Sequence, residues 1–215
     1  KSKEEKWQEA DASFVRTGQS GKWKTKDGFK KEWTISLEDL SFNLELLPSK
    51  HLGVFPEQLG QWRWLNEKIS KSKNVSVLNL FAYTGGATLA CAKAGAEVCH
   101  LDSSEFAVNL AKKNLESSGL KDKPVRFIVD DVRKFVEREI KRGKKYDIVL
   151  IDPPVYGKGV KKEVWKIEKD LPELLKRVKN VLSSKPIAVV LNGYASQYSS
   201  SAYENLLRSV FDSGE

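Results

Sequence analysis

No methionine occurs anywhere in the chain, not even at position 1. Ordinary usage would place a few in a sequence of this length, so the expectation is a piece of a longer protein, or one from which modified residues have dropped out. Cysteine is nearly absent too. Cys91 and Cys99 are too far apart for a CxxC pair and both fall inside expected regular elements, so they read as reduced core residues, not as a disulfide or metal pair. The two histidines, His51 and His100, form no metal set, and no metal is expected. No run approaches the roughly 18 uninterrupted apolar residues of a membrane span, and no charged-then-apolar leader opens the chain. A soluble cytoplasmic protein with no membrane partner is therefore expected; nothing in the sequence fixes its oligomeric state. Two nucleotide signatures are missing as well. GxGxxG does not fit Ala82 to Thr88, which holds only the adjacent pair Gly85-Gly86, and GxxxxGK[ST] occurs nowhere. That argues against NAD and ATP, whose pyrophosphate needs a glycine loop at a helix N-terminus.

What is present can bury a core: 40% of the residues are hydrophobic, enough for one domain with an appendage. The rest is organised around residues 75–88, VSVLNLFAYTGGAT. An apolar, β-rich run stops at a glycine turn and is followed at once by small helix formers, the arrangement in which α/β proteins cradle a ligand. Beyond it the pattern alternates: helix 86–94, strand 96–102, helix 104–117, strand 124–131, helix 132–142, strand 146–152, helix 168–182, strand 187–193 and a last helix near 198–212. Phe106, Leu110 and Leu115 are expected on one face of 104–117. Near-continuous Val/Ile/Leu strands between helices imply a doubly wound, mostly parallel sheet, with its ligand at the strands' carboxyl ends. There the polar residues collect: the glycine turn, Asp102, Asp130-Asp131 and Asp152-Pro153-Pro154. A carboxylate after the second strand suits paired ribose hydroxyls, although Asp102-Ser103-Ser104 also has the composition of a helix cap.

Residues 1–50 look different and are expected to form a small β-rich extension to a domain over 51–215. WTISL (33–37) and FNLEL (42–46) alternate like half-buried strands about a turn at 38–41, whereas Arg16 to Gly21 has the composition of a loop. Lysines surround Trp23 and Trp33; they suit phosphates and stacked bases, or the tryptophans simply pack this layer onto the main domain. HLGVFPEQLGQ (51–61) leads into a helix from about 59 to 70, with Glu57 and Gln58 where caps are usual. The formal net charge is +8, and 156–185 alone holds nine Lys or Arg against four acids. Such a surface fits a polyanion, with Lys158, Lys161, Lys162 and Lys166 flanking the DPPVY string, or is merely a solvated lysine face.

NLFAYTGGATLA, the Asp after the second strand, the Asp-Val after the third and the DPP after the fourth resemble a class I S-adenosylmethionine-dependent methyltransferase. FPEQ and DPPVY narrow the resemblance to the branch of large-subunit ribosomal RNA methyltransferases. It covers about residues 51–195. The resemblance implies S-adenosylmethionine as cofactor, with Tyr83, Thr84 and Gly85 along its methionine moiety, Asp102 on the ribose hydroxyls and Ser103 beside the adenosine. Asp131 would accept from the adenine amino group, with Val132 against the ring, and Gln58 would close over the methionine end. Asp152 would face the sulfonium and the acceptor, Pro153 would stiffen the loop, and Tyr156 would hold the acceptor. It implies RNA, ribosomal RNA above all, as partner.

The departures narrow the chemistry. Methylation of a cytosine ring carbon usually needs a cysteine nucleophile, and none follows Asp152 or the fifth strand, which runs into Asn192-Gly193-Tyr194. Methylases of exocyclic amines place an aromatic directly after the Pro pair, but position 155 is Val, with Tyr156 one step later. The RNA-binding modules that often precede this branch are not recognisable in 1–48, and the closing C-terminal strand hairpin is missing. The expected function is methyl transfer to a base in RNA without a cysteine nucleophile. The alternatives are a protein or small-molecule acceptor, or a cofactor-binding module without catalysis.

Overall fold

Short runs rich in Val, Ile and Leu pack best on a pleated surface covered on both sides, and five of them build the centre of the molecule. The computed structural model describes residues 7–18, 20–47, 50–159 and 163–211. In chain order come β1 (Ala12–Thr17), β2 (Ser20–Thr25), β3 (Glu32–Leu37) and β4 (Leu40–Glu45). A single 3-10 turn (Pro56–Gln58) leads into α1 (Leu59–Ser70), β5 (Ser76–Leu80), α2 (Gly86–Lys93), β6 (Glu97–Asp102) and α3 (Glu105–Ser117). Then follow β7 (Val125–Val129), α4 (Val132–Lys141), β8 (Ile148–Ile151), β9 (Tyr156–Lys158), β10 (Val164–Lys166), α5 (Ile167–Lys179), β11 (Ala188–Leu191) and α6 (Ser200–Val210).

The main sheet runs β11-β8-β5-β6-β7, and every pair in it is parallel. Its register aligns the carboxyl ends: Leu80 lies beside both Leu101 and Ile151, Ile151 beside Leu191, and Asp102 beside Val129. From β5 the chain winds outward through β6 to β7, and then returns to the other side of β5 for β8 and β11. The crevice between β5 and β8 is therefore the switch point, where open α/β sheets bind their ligands.

One face of the sheet is covered by Phe135, Leu171, Leu175 and their neighbours on α4 and α5. The other face is covered by Trp62 and Leu65 of α1, Leu89 of α2 and Phe42 of β4. Residues 33–45 thus contribute to the main core. Leu40, Phe42 and Leu44 are buried, Phe42 stacks on Trp62 at 5.6 Å, and the Asn43 backbone N–H donates to Asn114 Oδ1 at 2.7 Å.

Three local expectations need correction. Arg16 to Gly21 is no free loop: it forms the end of β1, the Gly18 turn and the start of β2, an antiparallel hairpin whose Phe14 meets Trp23 edge-on at 5.3 Å. Its turn carries the loop-like composition, while the paired arms alternate. Trp23 Nε1 donates to the Leu47 carbonyl at 2.8 Å, so this tryptophan packs and anchors. After DPPVY the chain also pairs with itself, β9 against β10, with Trp165 Nε1 donating to the Pro154 carbonyl at 2.7 Å. Phe106 is 46% exposed, because α3 buries Ala107, Leu110, Ala111 and Leu115 and turns its first-turn ring outward.

Candidate active site

The turn after β5 is held in a conformation that side chains resist. Phe81 (φ 56°), Tyr83 (φ 48°) and Gly85 (φ 92°) are all left-handed, and for the two aromatics this is a sparsely populated region. At Gly85 an added Cβ would also stand 3.1 Å from Ala111 Cβ and Leu89 Cδ1. Gly86 has another cause: a Cβ there would lie 2.2 Å from the Trp62 ring, so α1 can cross the start of α2 only over a glycine. The turn is pinned from both sides. The Thr84 hydroxyl donates to the Gly53 carbonyl, and Asn114 Nδ2 donates to the Thr84 carbonyl at 2.9 Å. Below lies a buried polar chain, in which Asn79 Nδ2 donates to Thr88 Oγ1 at 2.9 Å and Thr88 Oγ1 meets His100 Nδ1 at 2.9 Å. Burial lowers the His100 pKa to about 3, so the imidazole is neutral.

Asp102 closes the next strand and ties two loops together. Oδ2 accepts from the Tyr83 N–H at 2.9 Å and Oδ1 from the Ser104 N–H at 2.8 Å. Burial raises its pKa, against the pull of the Ser104, Tyr83 and Ser103 backbone groups. The cap of α3 is Ser104, which accepts from the Ala107 N–H at 3.2 Å, so Asp102 itself is not the cap. Ser103 is half-buried beside it. One strand further on, Asp131 caps α4. Its Oδ1 accepts from the backbone N–H groups of Arg133 and Lys134 and from Arg133 Nε, whereas Oδ2 meets Arg133 Nη2 alone at 2.9 Å. Val132 is buried, with its side chain in the core.

The other lip of the crevice is built from side chains. Gln58 is the first residue before α1 but makes no cap. Its Nε2 donates to Asp152 Oδ2 at 2.7 Å and to the Tyr194 hydroxyl at 2.8 Å. Asp152 Oδ1 is buried and meets no donor at good hydrogen-bond geometry among the described residues, although the Asn192 amide lies near the carboxylate. Burial pushes the Asp152 pKa up, opposed by the Gln58 and Asn192 amides. Gln61 Nε2 donates to Asn192 Oδ1 at 2.7 Å, which fixes the chain leaving β11. Pro153 is buried, and Tyr156 stands on β9 with 55% of its surface exposed.

Between the two lips lies a cleft of about 470 Å³, part of it open to solvent. Gln58, Tyr83, Thr84, Gly85 and Asp152 all line it, and Asp102 is one hydrogen bond behind Tyr83. Ser103, Asp131, Val132, Pro153 and Tyr156 are not on its wall. Phe55, Gln61, Asn79 and Asn192 line it too, and Tyr194 reaches it through Gln58. The sequence assigns these five no role of their own, although Phe55 lies in FPEQ, Asn79 in the strand before the glycine turn, and Asn192 and Tyr194 in a string at the carboxyl end of a strand. Among the described residues no group of His, Cys, Asp and Glu is placed to hold a metal ion, and no helix is long and apolar enough to cross a membrane.

Known proteins are similar to this chain in sequence and in fold. Residues 13–192 match the family described as S-adenosylmethionine-dependent methyltransferase. Ribosomal RNA large subunit methyltransferase K/L of Shewanella amazonensis is 32% identical over 158 residues, which is 73% of this chain and 22% of that protein. Ribosomal RNA large subunit methyltransferase I of Aeromonas salmonicida is 39% identical over 84 residues, 39% of this chain and 21% of that one. The chain thus spans only about a fifth of the length of these relatives. The crystal structure of the SAM-dependent methyltransferase from Agrobacterium tumefaciens superposes with a TM-score of 0.92 at 39% identity, covering 96% of this chain and 67% of that one. The chain belongs to the S-adenosylmethionine-dependent methyltransferase family, and S-adenosylmethionine is its cofactor.

Proposed function

We propose that this domain transfers the methyl group of S-adenosylmethionine to a base in RNA, ribosomal RNA above all, in the cytoplasm and without a cysteine nucleophile. The observation that carries the reading is the pairing of a cradle after β5 with a half-buried carboxylate, Asp152, across a single cleft. The names of the relatives support the RNA acceptor. Neither cysteine of this chain suits covalent catalysis: both are buried, and burial pushes Cys91 to about 12 and Cys99 to about 11.

The cleft and the strand ends beside it offer groups that fit the cofactor. Each Asp102 oxygen accepts one loop N–H at short range and keeps capacity for a ribose hydroxyl. Asp131 Oδ2, with Arg133 alone on it, retains an acceptor position for the adenine amino group. Val132 would pack beneath that end from the core, and Ser103 would lie beside the adenosine. Tyr83, Thr84 and Gly85 would flank the methionine moiety, and Gln58 would close over it. When bound, the cofactor supplies a sulfonium methyl that is already a strong electrophile. Alignment is then the protein's main task, worth several kcal/mol. Asp152, with its pKa raised by burial, is suited to take the acceptor's proton. Pro153 stiffens the loop behind it. Tyr156, exposed on β9 opposite Lys166, offers a ring to the RNA. Of the lysines expected on phosphates, Lys166 is exposed, whereas Lys161, Lys162 and the Lys158 side chain lie outside the described residues.

The test is single-turnover transfer of labelled methyl to total RNA, joined to mass mapping of modified nucleosides in a deletion strain and its parent. The expected outcome is labelled RNA and one modification missing from the deletion strain. Label in protein or small molecules only would overturn the reading.

A further inference from the structure

The Gln58 carboxamide is a planar NH2 group lodged between two acceptors. A carboxylate has no proton to give near neutrality, so the amide must turn its nitrogen, not its oxygen, towards Asp152. One amide hydrogen then goes to Asp152 Oδ2 at 2.7 Å and the other to Tyr194 Oη at 2.8 Å, using both. The Tyr194 proton therefore points away from Gln58, and the phenol acts here as an acceptor. Tyr194 is held in place: Gln61 fixes Asn192, and a Cβ on Gly193 would stand 2.3 Å from the Tyr203 ring, so the loop lies flat against α6. Even so, 53% of Tyr194 remains exposed, and its hydroxyl meets the cleft through Gln58.

We infer that Asp152 and Tyr194 form a two-acceptor clamp for a planar primary amine, and that Gln58 is its internal stand-in. This rests on the RNA reading above and narrows it. The acceptor is an amino group on the edge of a nucleobase, not a ring carbon, a ring nitrogen or a ribose hydroxyl. An exocyclic NH2 directs two hydrogens in its plane, as the carboxamide does, and leaves the face of its nitrogen open to the methyl. A ring N–H has one hydrogen and a ring C–H has none to donate, so either leaves an acceptor of the clamp unpaired, at a cost. In the transfer the nitrogen lone pair forms the new N–C bond and the methyl–sulfur bond breaks with its electron pair left on sulfur. The surplus proton on nitrogen passes to the Asp152 carboxylate. Tyr194 is thus a specificity residue that touches the acceptor.

The experiment is single-turnover methylation of RNA from the deletion strain by the parent protein, Tyr194→Phe and Gln58→Ala at saturating cofactor, with mass identification of the methylated nucleoside. The parent is expected to place the methyl on an exocyclic nitrogen. Tyr194→Phe keeps the ring and removes one acceptor, and should lower kcat/KM for RNA about tenfold to a hundredfold while cofactor affinity by calorimetry stays within about twofold. Gln58→Ala removes the internal competitor and should lower the RNA concentration at half-maximal rate. Methyl on a ring atom or ribose, Tyr194→Phe at the parental rate, or an RNA requirement unchanged or raised in Gln58→Ala would each overturn the clamp while leaving RNA methylation standing. If the parent labels no RNA at all, the RNA reading itself falls, and the clamp with it.

Discussion

The two lips of the cleft are made of different material. On the β5 side the backbone does the shaping: three left-handed residues in five, a carbonyl held by Asn114, and an Asp102 that grips two loop N–H groups. On the β8 and β11 side the backbone merely delivers side chains, and Gln58, Gln61, Asn192 and Tyr194 build the wall with amide and phenol bonds. A backbone cradle can hold one ligand in one pose, because changing it means moving a strand or a helix. A wall of amides can re-pair by rotating a few bonds. The first suits a constant cofactor, the second an acceptor that must enter and leave.

Burial raises the pKa of the carboxylates of both lips, Asp102 and Asp152, but lowers that of the imidazole beneath the cradle, and that imidazole gives the largest expected effect. His100, under the cradle, has its folded-state pKa lowered from 6.5 to about 3. Between those values the unfolded chain binds a proton that the folded chain refuses, so His100 stabilises above pH 6.5 and its contribution is lost as pH falls. The loss approaches 1.4 kcal/mol per pH unit, or about 5 kcal/mol at most across the whole window. Asp152 has the opposite sign. Its folded pKa is raised, so the folded state takes up the proton first, and the carboxylate form weighs against stability once the pH exceeds the unfolded value. Denaturant titrations at pH 7, 6, 5 and 4 on the parent and a His100→Asn variant should show the parent losing its advantage as the pH falls. Parallel curves would mean that His100 takes up its proton in the fold.

Next in size is Asp152→Asn. It keeps the shape and the Gln58 contact but removes the charge, so turnover should fall about a hundredfold or more, near 3 kcal/mol in barrier. Stability at pH 7 should stay level or rise, since a half-buried carboxylate with one bare oxygen is gone. Parallel melting and single-turnover measurements check both. Lost stability with parental turnover would recast Asp152 as a structural group, and the two lips would no longer differ in kind.

The cradle was easier to read from the sequence than the wall, for the same physical reason. Strand, glycine turn and helix are local, so residues 75–88 announce them, and the register of a parallel sheet then brings Asp102, Asp131 and Asp152 to one edge. Even there the second glycine has a cause outside the motif: Gly86 answers to Trp62 on another helix, a long-range contact that no local pattern reveals. The wall depends on such contacts throughout. Gln58 and Tyr194 are 136 positions apart, and Gln58 in sequence looks like a helix cap that it is not. Asn192 to Tyr194 could be read only for the cysteine it lacks. Tyr156 was expected to stand over the pocket as the next aromatic after the Pro pair, yet β9 pairs with β10 and keeps it off the cleft wall.

The smallest effect is the most diagnostic for the cradle. Asp102 has two roles that a simple truncation confuses: it ties Tyr83 to Ser104, and it is placed to take the ribose hydroxyls. Asp102→Ala should weaken S-adenosylmethionine by roughly 1.5–3 kcal/mol, about ten- to 150-fold, since hydrogen bonds to a charged group are lost. Loosening of the loop alone would also weaken binding, so affinity by itself does not separate the roles. A cycle does. Calorimetry of the parent and Asp102→Ala, each with 5′-methylthioadenosine and its 2′,3′-dideoxy analogue, measures the coupling between the carboxylate and the hydroxyls independently of damage common to both ligands. If Asp102 binds the ribose, the parent prefers the hydroxylated ligand strongly and the variant hardly distinguishes the two. If Asp102 serves the loop alone, both proteins discriminate by the same factor. The hydroxyls then belong to another group on this edge, and the cradle is shaped by Asp102 without being read by it.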